Sequence, residues 1–333
     1  MTDLLETARL LVHPGKGILA ADESNATADK RLASYGIATG EEMRRKERDL
    51  FLNCPGIEEY LSGVILYDET LRQKGKDKKL FGASLIARGI IPGIKVDEGT
   101  EPHPDSPDEV ITKGLLGLSE RLAGYRTDFK TGFTKWRAVV RIDGDRLPTA
   151  LVMRENAKRL AQYAAEAQKA GMVPMVEPEV LLDGTHSRIR CRAVLEETLR
   201  TLVGALEAHA IDMSGVILKT SMALSGSGTG RTDSPEEVAE DTVGALLAAM
   251  PRGLGGVVFL SGGQTPEQAT DNLRAIERKA RDANAPWPLT FSYSRALQDE
   301  ALRAWAGEDK NVDAAREAFR NRLASVYKAA RGE

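Results

Sequence analysis

GVVFLSGGQTPEQ, residues 256–268, reads as a strand, a glycine turn and a helix start in direct succession. The run Val257 to Leu260 has the length and β-branched content of a strand buried on both faces. Thr265-Pro266-Glu267-Gln268 then supplies a capping hydroxyl, proline at the first helical position and glutamine at the third. The same unit recurs along the chain, as GILAAD (17–22), GVILYD (63–68), IPGIKVD (91–97), WRAVVRID (136–143), VPMVEPE (173–179), GVILKT (215–220) and PLTFSYSR (288–295). Helical periodicity fills the intervals, as in Leu151 to Ala170, where Leu151, Val152, Ala157, Leu160, Ala161 and Ala164 share a face. Two more helix starts are expected at Ser106-Pro107-Asp108-Glu109 and Ser234-Pro235-Glu236-Glu237. Eight such repeats predict an α/β fold, a single (β/α)₈ TIM barrel over residues 1–333. Counting runs does not establish closure, so a doubly wound open sheet stays the alternative. Leu4, Leu5, Ala8, Leu11 and Val12 form a stripe expected on a helix outside the barrel, and Val312 to Tyr327 form another amphipathic helix.

The 46 basic and 49 acidic residues nearly cancel, which removes the global field that would draw in nucleic acid or an anionic membrane. An anionic ligand must therefore be held by local charges. Cys54 and Cys191 are too few and too far apart for a disulfide framework and read as reduced thiols. The opening MTDLLETARLLVHPGKG suits neither a secretory signal nor a transit peptide, and no run approaches the roughly 20 apolar residues of a bilayer span. A soluble cytoplasmic protein is expected. His13, His103, His186 and His209 lack paired ligand spacing, so no metal site and no cofactor are predicted, and most of them are assigned to the surface.

Barrel active sites form where strands end, which nominates Asp22, Asp68, Lys95, Asp97, Glu177, Glu179, Lys219, Ser261 and Arg295. Lys219 closes an apolar run, where a lysine has a desolvation cost unless it is paired or reactive. Burial and neighbouring cations such as Lys95 and Lys135 would favour its neutral amine, which attacks carbonyls. A structural lysine paired with Glu177 or Asp22 is the other reading. Glu177 and Glu179 alternate on one strand and share a face, where two carboxylates can divide acid and base roles; the other reading pairs Glu179 with a nearby Lys or Arg and leaves only Glu177, or neither, catalytic. Asp22 could be no more than a helix cap. Ser261-Gly262-Gly263 before the Thr265 helix start suits a phosphate, with Arg295 closing the next strand. The glycines of Ser225 to Arg231 follow a strand without opening a helix and are expected to form a mobile loop.

GILAADES (17–24), GIKVD (93–97), GLSER (117–121), KWR (135–137), VEPE (176–179), FLSGGQ (259–264) and SYSRALQ (292–298) occur in the order found in the class I fructose-bisphosphate aldolases, which the chain resembles over nearly its whole length. The resemblance implies reversible, metal-independent cleavage of fructose 1,6-bisphosphate through a Schiff base. By it, Lys219 is the Schiff-base lysine, Glu177 the proton shuttle of carbinolamine dehydration and Glu179 the carboxylate partnering the lysine. Asp22 would handle the substrate C4 hydroxyl, and Lys135 would support the electrostatics. Ser261, Gly262 and Arg295 match the site of one phosphate, while Ser24, Lys95 and Arg137 match groups at the sugar's other end. A homotetramer acting on small sugar phosphates is implied. Another ketose phosphate as preferred substrate, or a mainly binding role, are the alternatives.

The chain departs from the family pattern at Thr220-Ser221, where Pro-Asn is usual, and at Ser294, where glycine is usual. It also stops at Glu333 without the tyrosine-ended tail of many members. Tyr327 is expected to pack with Phe319, Leu323 and Val326 rather than reach the site.

Overall fold

The computed structural model describes residues 4–333. Eight parallel strands close into a barrel in the order β1 (Gly17–Ala21), β2 (Leu61–Leu66), β3 (Ile91–Lys95), β6 (Phe133–Val140), β7 (Val173–Val180), β8 (Ile217–Thr220), β9 (Gly256–Phe259) and β10 (Leu289–Tyr293), which pairs back onto β1. These are the eight predicted runs. Closure, which run counting left open, removes the open sheet. The remaining strands, β4 (Thr100–His103) and β5 (Ser106–Thr112), form a separate antiparallel hairpin.

That hairpin replaces the helix expected at Ser106. Its cap-like residues bond differently: Ser106 Oγ donates to Glu109 Oε2 at 2.8 Å, and Glu109 accepts from the backbone N and hydroxyl of Thr149 at 2.9 and 2.6 Å. Val110-Ile111-Thr112 then extends the β-branched run against residues 100–102. The other two caps form full capping boxes, Ser234 with Glu237 and Thr265 with Gln268.

After β1 come α2 (Asn25–Ser34) and α3 (Glu41–Leu52), and α4 (Asp68–Arg72) and α5 (Phe81–Ile86) follow β2. Outer helices α6 (Leu118–Phe129), α7 (Ala150–Lys169), α8 (Arg188–Ala208), α9 (Pro235–Ala249), α10 (Pro266–Asp282) and α11 (Arg295–Trp305) lead to α12 (Val312–Ala329). Thr149 caps α7, and Leu151, assigned to its inner face, is exposed. Helix α1 (Leu4–Leu11) does not lie outside the barrel. Ala8 and Leu11, with Val12 just beyond, share one cluster with Ile18, Phe133, Val173, Ile217 and Val258, closing the barrel's N-terminal end. Small strand residues make room there: a Cβ on Gly63 would lie 2.8 Å from Leu11 Cδ2, and one on Gly256 2.8 Å from both Val12 methyls.

The glycine loop is held rather than free. Gly226, Ser227 and Gly228 donate backbone hydrogen bonds to His186, Leu182 and Gly184, and Asp233 accepts from both the N and Oγ of Ser225. His186, against which the glycine loop packs, and His103, at the end of β4, are buried, against the surface assignment. Phe319, Leu323 and Val326 are buried as expected. Tyr327 is half-buried, its ring edge-on to Tyr60 at 5.7 Å and beside Gly15, so it sits at the N-terminal end of the strands.

Gly256→Ala should destabilise the fold by about 1–3 kcal/mol in urea unfolding, through overpacking against Val12. Combining it with Val12→Ala should recover part of that loss. Strictly additive losses would mean the two do not touch.

Candidate active site

Side chains alternate along each strand, so one parity faces the barrel axis. On β1 that parity carries Ile18 and Ala20 into the core and Asp22 to the mouth, and on β7 it runs Val173, Met175, Glu177 and Glu179. On β8, Ile217 lies below Lys219. Apolar residues thus fill the lower barrel, and one further step along each strand the axis becomes polar. A cavity of about 790 Å³ opens there, and every candidate residue borders it: Asp22, Lys95, Lys135, Glu177 and Lys219 with Ser24, Arg137, Glu179, Ser261, Gly262 and Arg295 around them.

At its floor four buried charges alternate in sign. Lys219 Nζ lies 3.2 Å from Glu177 Oε1, Glu177 Oε2 lies 2.8 Å from Lys135 Nζ, and Lys135 Nζ donates to Asp22 Oδ2 at 2.9 Å. Burial alone would raise the Asp22 pKa, but Lys135 and Lys219 overcome it and hold the carboxyl at about 2. Glu177 follows the same logic: burial pushes it up, while Lys135, Lys219 and Arg137 bring it below the usual glutamate range. Burial would strip the proton from Lys135, yet Asp22 and Glu177 hold it above the ordinary lysine range.

Glu179 is not the partner of Lys219. Its carboxylate accepts from Arg137 Nε instead, because Arg137 faces the same side of neighbouring β6. Lys219 is partnered by Glu177. Lys95 Nζ pairs with Asp97 at 2.6 Å, and Asp97 also accepts from the backbone N of Arg137 at 3.3 Å. Asp22 is not a cap; Ser24 fills that role for α2, its Oγ 3.0 Å from the Thr27 hydroxyl. Thr27, in the first turn of α2, also borders the cavity, and no strand-end signal marks it.

On the far side, consecutive left-handed glycines, Gly262 at φ +48° and Gly263 at φ +86°, turn the backbone after Ser261. Arg295 opens α11 beside them on the cavity wall. Ser292 and Ser294 border the cavity too, and the alternation of Thr290, Ser292 and Ser294 along the last run was the signal for them. Ser294 has φ −109°, outside the left-handed region, so its backbone does not require the glycine usual in the family. The other departure is likewise accommodated, since Ser221 Oγ donates to Val180 O at 2.9 Å.

Lys135→Met leaves Asp22 and Glu177 buried beside one remaining lysine, and breaking such a pair should cost about 3–5 kcal/mol in urea unfolding at pH 7. Because Asp22 is held below its ordinary 3.8, its stabilising contribution is complete above that pH and lost as pH falls through about 2. In Lys135→Met the folded pKa of Asp22 moves back toward 3.8, so this acid-side loss should shrink. Unchanged stability and an unchanged acid limb would show that Lys135 does not compensate these carboxylates.

The family profile described as fructose-bisphosphate aldolase class-I matches residues 3–333. A probable fructose-bisphosphate aldolase class 1 of Xanthomonas axonopodis pv. citri is 50% identical over 303 residues, covering 91% of this chain and 89% of the relative. The cytosolic fructose-bisphosphate aldolase 4 of Arabidopsis thaliana is 44% identical over 95% of this chain and 80% of its own length. A solved fructose-bisphosphate aldolase from Plasmodium falciparum superposes with a TM-score of 0.95 at 40% identity, covering 99% of this chain and 94% of that one. The closed barrel, the ordered motifs and these likenesses agree, and the chain belongs to the class I fructose-bisphosphate aldolases.

Proposed function

We propose that the chain cleaves fructose 1,6-bisphosphate reversibly into dihydroxyacetone phosphate and glyceraldehyde 3-phosphate through a Schiff base on Lys219. The observation that carries this reading is the buried sequence of contacts Lys219, Glu177, Lys135, Asp22 at the floor of the barrel mouth. The ionised Glu177, 3.2 Å from Lys219 Nζ, takes up a proton from Lys219, and the neutral amine so formed attacks the ketose C2 carbonyl to give a carbinolamine. Glu177, protonated by that transfer, then gives the proton to the departing hydroxyl, leaving a protonated imine and water. Asp22, ionised in the free site, takes the C4 hydroxyl proton. The C3–C4 bond then breaks, the aldehyde leaves, and the electron pair passes into the imine as an enamine. Protonation at C3 and hydrolysis of the imine release dihydroxyacetone phosphate and restore the amine.

Lys135 stays protonated between Asp22 and Glu177 and stabilises whichever is anionic as protons move. Ser261, Gly262 and Arg295 are assigned to the phosphate of the dihydroxyacetone half, beside the helix start. Ser24, with Lys95 and Arg137, is assigned to the other end. Glu179 holds Arg137 in place rather than acting on Lys219. Assembly as a homotetramer and a cytoplasmic location are carried over from the family resemblance and from the cytosolic relative. No helix of the described residues is long and apolar enough to cross a membrane.

Borohydride added with dihydroxyacetone phosphate should inactivate the protein and leave one reduced adduct per chain, located on Lys219 by mass spectrometry. An adduct elsewhere, or trapping by Lys219→Met, assigns the nucleophile wrongly. Arg295→Ala should weaken binding of both bisphosphate and dihydroxyacetone phosphate by about 1.5–3 kcal/mol, the range for a hydrogen bond to a charged group. Unchanged affinity for both ligands would move that phosphate elsewhere.

A further inference from the structure

Strands β1 and β10 close the barrel through a register of only Ile18↔Ser292 and Leu19↔Tyr293, as short as that between β7 and β8, whereas β6 and β7 pair over eight positions. Asp22 and Arg295 both lie beyond that short seam, Asp22 just after β1 and Arg295 two residues after β10. One side chain bridges the two segments. Arg31 of α2 lies 2.8 Å from Glu23 and 2.5 Å from Glu47 through Nη2, and its Nη1 donates to Gln298 Oε1 at 2.6 Å. Glu23 is the chain neighbour of Asp22, and Gln298 lies three residues after Arg295 on the same helix. Glu47 and Gln298 are fully buried, and Arg48, almost fully so, adds a second cation 3.4 Å from Glu47.

Buried ion pairs of this kind are weak sources of stability, since apolar side chains of similar volume often do as well, and their best attested role is to specify register. A planar guanidinium with donors on two nitrogens fixes the angle between the parts it joins, which a lysine point charge cannot do. Resting on the Schiff-base reading, we propose that Arg31 is a positioning residue that clamps Asp22 and Arg295 in register across the barrel's closing seam. Asp22 acts at C4 of the sugar and Arg295 holds the phosphate of the dihydroxyacetone half. Their mutual register matters for cleaving the bisphosphate. It does not matter for forming an imine with dihydroxyacetone phosphate, which has no C4.

The test uses Arg31→Lys and Gln298→Leu, singly and together, in the full chain. Two rates are measured: kcat for fructose 1,6-bisphosphate cleavage, and borohydride trapping at saturating dihydroxyacetone phosphate. Arg31→Lys should lower kcat by about tenfold or more while trapping stays within about threefold of wild type. The double variant should be no slower than Arg31→Lys, because Gln298 acts through the same contact. The inference is overturned if both single variants cleave within about twofold of wild type. It is equally overturned if trapping and cleavage fall in equal proportion in both, which would make the cluster a structural brace alone. Failure of the wild-type protein to trap overturns the Schiff-base reading beneath it instead.

Discussion

Two cations and two carboxylates, all four buried, share the floor of this barrel. Lys219, Glu177, Lys135 and Asp22 alternate in sign, and each contact compensates the desolvation of its neighbours. That alternation keeps Asp22 and Glu177 ionised despite burial, and keeps Lys135 charged where an isolated lysine would shed its proton. Remove any one member and a buried charge is left uncompensated. The four have to be supplied together, at fixed separations, by elements distant in sequence.

A closed parallel barrel meets that requirement. Successive inward positions rise along each strand, apolar residues from Ile18, Phe133, Met175 and Ile217 fill the lower levels, and α1 seals the end beneath them. The charged level therefore has a packed, dry floor on one side and an open mouth on the other. Glu177, Lys135 and Lys219 come from three strands, β7, β6 and β8, in which β7 is paired with both neighbours. Strand pairing thus fixes the distances before any ligand arrives, which is the preorganisation that electrostatic catalysis needs.

Much of this was legible in the chain. The eight runs are the barrel strands, and strand-end residues Asp22, Glu177, Lys219 and Arg295 all border the cavity. Lys135 and Arg137 escaped the strand-end rule because a barrel is staggered. β6 starts at Phe133 and continues to Val140, and Lys135 is register partner of Lys95, the last residue of β3. It lies at the mouth from the middle of its own strand. Ser106-Pro-Asp-Glu misled for a different reason: a capping pattern is local, and the β-branched residues after it found a partner strand. That Glu179 could pair with a nearby cation was legible, but that the cation is Arg137 depends on which strand neighbours which. The glycines of Ser225 to Arg231 read as mobile, but their hydrogen bonds to residues 182–186 come from a loop forty residues away.

In the proposed reaction the electron pair released on carbon–carbon cleavage passes to an iminium on Lys219, with no Lewis acid in that role. The most direct measurement is the rate of fructose 1,6-bisphosphate cleavage by protein dialysed against a strong chelator and assayed in its presence. Cleavage through the iminium should proceed at a rate equal to that of untreated protein. A rate that collapses in chelator and returns on adding a divalent metal ion would contradict it.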